Sequence, residues 1–141
     1  MATLYYISTR PESRWTQDHA AAGYSPVLND ETGKGDTVHK DFEPAWKLAQ
    51  DLAYGLEGAR GMDVIELTFD DALFLSLKES GDIVDGSLKD MFGAPLVVLS
   101  HRACQAINHA CTASKKEFLI PEEHLAFMLG AADHRSSGVM H

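Results

Sequence analysis

The apolar residues of this chain come in short runs rich in β-branched and aromatic side chains, separated by longer stretches with a helical repeat. Leu4 to Ile7, Val64 to Phe69, Leu96 to Leu99 and Glu117 to Ile120 read as strands. Thr9 and Glu12 form a capping box for a helix that ends at Gly23. Asp41 caps a second helix with Pro44 in its first turn, and Ala45, Leu48, Ala49 and Leu52 repeat on one face. Asp70 and Asp71 lead into a short helical segment around Leu73 to Leu77, and Ser100 caps a helix over His101 to Ala113. Thr37 to His39 looks extended, while Tyr24 to Asp36 and Gly81 to Gly93 read as irregular connections. Strands alternating with capped helices predict an α+β domain.

The chain has 141 residues, of which 45% are hydrophobic, the size and composition of one ordinary domain. That domain is expected over 1–130, followed by a polar tail over 131–141. No apolar run approaches the roughly 20 residues of a membrane span. The first residues lack the basic and then apolar plan of a signal peptide, so a cytoplasmic location is expected. A formal net charge of −9 disfavours direct nucleic-acid binding, which requires a clustered basic face. It suits solubility, or a basic protein partner.

Seven histidines invite a metal reading, and the densest group is His101, Cys104, His109 and Cys111. On a helix His109 points away from both cysteines, which share an apolar face with Ala103, Ile107 and Ala110, so no metal site is expected. The two cysteines stand about 10 Å apart along a helix axis, too far for a disulfide, and are read as reduced thiols. No Gly-x-Ser-x-Gly elbow, Walker loop or Gly-x-Gly-x-x-Gly fingerprint is present.

What remains is an order of segments: Leu4-Tyr5-Tyr6-Ile7, Trp15, Gly23-Tyr24, Val38-His39, the Asp41 helix, Asp63-Val64-Ile65-Glu66-Leu67 and Phe92-Gly93-Ala94-Pro95-Leu96. Over roughly residues 4 to 97 this order resembles small bacterial proteins of the ADP-ribosyltransferase superfamily, in the histidine-containing branch that also holds RNA 2′-phosphotransferase. The resemblance implies two small antiparallel or mixed sheets flanked by helices around a nucleotide cleft, with NAD as cofactor. His39 matches the branch's second histidine, and Tyr6 stands where the first usually lies. A phenol still donates a hydrogen bond to a ribose or phosphate oxygen. Ser8 and Thr9 follow as further cofactor contacts.

Glu117-Phe118-Leu119-Ile120-Pro121 resembles the closing strand of arginine-modifying ADP-ribosyltransferases, with Lys115 where those enzymes carry Glu or Gln. The resemblance makes Glu117 a catalytic residue with His39. Glu117 would stabilise an oxocarbenium-like transition state while ADP-ribose passes to a protein or nucleic-acid group and nicotinamide leaves. The tyrosine at position 6 supports an alternative, a non-enzymatic acidic inhibitor that uses the same fold to block a basic partner.

Overall fold

The computed structural model describes residues 1–8, 28, 33–55, 61–124 and 126–127. Six strands form one sheet: β1 (Ala2–Ser8), β2 (Asp36–His39), β3 (Gly61–Phe69), β4 (Ile83–Lys89), β5 (Pro95–Leu99) and β6 (Thr112–Leu119). Their order is β4-β5-β2-β1-β3-β6, with every neighbouring pair antiparallel. Three helices accompany them, α1 (Phe42–Gly55), α2 (Asp71–Glu79) and α3 (His101–Ala110), and residues 122–124 and 126–127 after Pro121 are helical as well. The α+β class is as expected, but the described strands form a single sheet rather than two small ones. The expected helix between Thr9 and Gly23 and the tail over 131–141 lie outside the described residues.

Alternation along the strands puts a hydrophobic core on each face. Leu4, Val38, Ile65, Leu67, Phe69, Val97 and Leu99 face one way and pack with Leu77 of α2 and with Ala103, Cys104 and Ile107 of α3. The opposite face carries Met62 and Val64, covered by α1 through Ala45, Ala49 and Ala53. Those three alanines recur every fourth residue and let the helix approach the sheet closely. Around them Tyr5, Phe42, Trp46 and Phe118 pack ring against ring, with centroids 5.5 to 5.7 Å apart.

The caps act as their residue types predict. The Asp70 carboxylate accepts from the Ala72 N–H at 2.9 Å, and the Ser100 hydroxyl accepts from the Ala103 N–H at 3.0 Å. Helix α1 begins directly after Asp41. Three boundaries differ from the sequence reading. Helix α3 stops at Ala110 because Cys111 is already extended (φ −82°, ψ 154°), with no glycine or proline to mark the end. Strand β6 therefore begins at Thr112 and pairs with β3 over its whole length, well before Glu117. The stretch read as irregular between Gly81 and Gly93 contains β4, whose ladder with β5 is interrupted by a bulge between Asp85 and Leu88, where Gly86 has φ +80°.

Candidate functional site

Strand β1 touches β2 at one register pair, Tyr5 opposite His39. Continued in antiparallel register, Ile7 would face Thr37, but no such pair forms. At this end of the two strands lies a cavity of about 220 Å³. Tyr6 and Ile7 border it from β1, Asp36, Thr37 and His39 from β2, and Leu48 and Leu52 from α1. Leu96 of β5 and Asp90 of the β4–β5 turn complete its wall. The apolar repeat of α1 thus divides its work: the alanines meet the sheet, and the leucines reach the cavity.

The chemistry of the cavity centres on His39 and Asp90. The His39 Nε2 lies 2.8 Å from Asp90 Oδ2, and the two side chains are 5% and 3% exposed. The other Asp90 oxygen accepts from the Phe92 and Ala94 backbone N–H groups, both at 2.9 Å. Burial pushes the Asp90 carboxyl up in pKa. The hydrogen bond with His39 and those from Ala94 and Phe92 outweigh it and hold the group below the ordinary carboxylate value. Asp90 therefore acts twice, organising the tight turn of the hairpin and orienting the imidazole. With Nε2 directed at the carboxylate, Nδ1 is the ring nitrogen left for a ligand, and it bonds no group among the described residues.

The predicted site residues separate on this frame. Tyr6 and His39 border the same cavity, but their side chains leave the sheet on opposite faces, since His39 shares the face of Tyr5 and Tyr6 that of Leu4. Ser8 is buried on β1 opposite Asp63, itself buried on β3. Thr9 lies outside the described residues. Glu117 is exposed on edge strand β6, opposite Asp63, and does not border the cavity. Two strands, β3 and β1, separate β6 from β2, a span of about 14 Å at the usual strand spacing. Register puts Glu117 on the face of Ser8, away from the His39 ring.

Sequence reasoning missed Asp90. Its signal was present: an aspartate three residues before Gly93 is the pattern of a tight turn, whose first side chain caps the following N–H groups. The cysteines stay apart from the cavity. Neither is in a disulfide; Cys104 is buried in the larger core and Cys111 stands at the end of α3, where burial pushes its thiol up in pKa. Among the described residues no group of three His, Cys, Asp or Glu side chains stands together as a metal site would require. No described helix is long and apolar enough to cross a membrane. No family model matches the sequence, and neither a curated protein nor a solved structure is significantly similar to it.

Proposed function

We propose that the chain binds a nucleotide of the NAD or ADP-ribose type, with one end of the ligand in the cavity between β1 and β2. The observation that carries this reading is a buried histidine at the cavity wall, held in orientation by Asp90. A volume of about 220 Å³ is below the ~300–1,000 Å³ of sites that enclose a drug-sized ligand, so one ring enters and the remainder lies outside. The lining contains Asp36 and Asp90 and neither lysine nor arginine. Such a wall favours a neutral or cationic ring, the nicotinamide end, and leaves the pyrophosphate in solvent. His39 Nδ1 is the ring nitrogen that would hydrogen-bond a ribose hydroxyl.

Transfer of ADP-ribose would break the bond between ribose and nicotinamide, and a carboxylate near the developing cation would lower the barrier. Asp36 borders the cavity and Glu117 does not. Binding is therefore better supported than turnover. Thermal unfolding with NAD tests it. At about a hundred times its Kd a ligand adds ~2.7 kcal/mol, a rise in Tm on the order of 5–10 °C for a chain of this size. Thr37→Trp, which fills the cavity from an exposed position, should abolish the rise while leaving the unliganded Tm nearly unchanged. No rise at millimolar NAD, or a rise equal in the variant, overturns the proposal.

The position of Glu117 favours a second reading, an acidic binding protein that blocks a basic partner without catalysis. Such a complex would weaken as salt screens the −9 charge, whereas a cavity-bound nucleotide would be far less sensitive. Capture of partners at two salt concentrations separates the two.

A further inference from the structure

The pairing of His39 with Asp90 sets where the imidazole carries its proton. Asp90 is held below the ordinary carboxylate value, so it is ionised at neutral pH and its oxygens only accept. Its Oδ2 lies 2.8 Å from His39 Nε2, which places the proton on Nε2. In the neutral ring Nδ1 then keeps its lone pair. The carboxylate is anchored in this pose, because Oδ1 accepts from the Phe92 and Ala94 backbone N–H groups at 2.9 Å each. A fixed imidazole proton, an anchored carboxylate behind the ring and a lone pair that no described group takes, all at a cavity wall, make the arrangement of a general base.

Such a base contributes little to an acceptor that is already an anion. It serves a hydroxyl, whose proton must leave as a new C–O bond forms. Water needs only about 30 Å³, whereas a side chain of another macromolecule would have to enter a cavity of about 220 Å³ beside the bound ring. The acceptor that fits is water.

Resting on the nucleotide reading of this cavity, we propose that the chain hydrolyses NAD at the bond between nicotinamide and ribose, with His39 as the general base for water and Asp90 as the residue that positions it. A base that hydrogen-bonds a ribose hydroxyl stands within one water molecule of ribose C1′. As the C1′–N bond breaks, its electron pair goes to the nicotinamide nitrogen and the ring leaves neutral. Water forms the C1′–O bond and gives its proton to His39 Nδ1, which passes it to solvent. The products are ADP-ribose, nicotinamide and one proton, and no oxidant or reductant takes part. The Asp90 carboxylate stabilises the imidazolium while it lasts.

The test uses the full chain with millimolar NAD, following products by chromatography and binding by the rise in Tm. Nicotinamide and ADP-ribose should accumulate in equal amounts with no added acceptor. His39→Gln should retain most of the rise in Tm while slowing release by about 100-fold or more, the contribution of a general base. Asp90→Asn tests positioning. The Phe92 and Ala94 N–H groups take its single oxygen, so its amide NH2 turns to Nε2 and moves the imidazole proton to Nδ1. Nitrogen NMR shifts of the His39 ring should show that exchange of tautomer, and turnover should fall about as far as in His39→Gln while NAD still raises the Tm. No rise in Tm with the wild type overturns the nucleotide reading and this activity with it. A rise without nicotinamide release leaves binding standing and overturns hydrolysis. So does release that continues at the full rate in either variant.

Discussion

At the scale of single residues, Asp90 bears the largest consequence. Its carboxylate, 3% exposed, takes one hydrogen-bonding interaction with His39 and two backbone N–H bonds. Asp90→Ala leaves the imidazole and two amides without their acceptor, and breaking a buried pair in this way costs about 3–5 kcal/mol. Urea unfolding at neutral pH should show that loss. The pH dependence has a definite sign. Because the folded carboxyl is held below its ordinary value of 3.8, the unfolded chain binds the proton more readily. The stabilisation is complete above about pH 4 and is lost as pH falls through the lowered folded value. The gap between wild type and Asp90→Asn should therefore narrow only in that acid range. Asp90 was legible as a turn residue, but not as the partner of His39, because 51 positions separate them in sequence.

At the scale of elements, the entry into β2 depends on Gly35. Its φ is +89°, and an added Cβ would stand against the Leu99 carbonyl oxygen of β5. Backbone conformation and close approach both select glycine, and strain of this kind costs about 1–3 kcal/mol per residue. Gly35→Ala should lower the unfolding midpoint accordingly. Gly33→Ala, also at positive φ (+72°) but with open space around the new Cβ, should cost less. Helices were the most legible elements. Asp70 and Ser100 announced two of them, and the spacing of Ala45 and Ala49 announced the third. Strand β4 was hidden because its Asp85-Gly86-Ser87 centre lacks β propensity, and pairing with Pro95–Leu99 overrides that local preference.

At the scale of the whole molecule, most of the sheet is made by partners distant along the chain. Among the described residues only β4 and β5 form a tight hairpin, whereas β1 pairs with β3 from Ala2–Phe69 to Ser8–Asp63. Loop closure must precede the gain from such pairings, so refolding in stopped flow should take milliseconds to seconds rather than microseconds. Both open edges of the sheet carry devices against further pairing. Strand β4 has its bulge, and β6 has Lys115 and Lys116, the latter with its Nζ 4.9 Å above the Phe42 ring.

The sequence alone determined the alternation of strands and helices, the apolar faces and the caps, because each depends on neighbours within a few residues. Tertiary structure decided the rest. It joined the strands into one sheet, parted β1 from β2 beyond Tyr5 and His39, and left Glu117 on an edge strand away from the cavity. The order of strands follows from which faces can be buried together across the whole chain, and local preference carries no record of it.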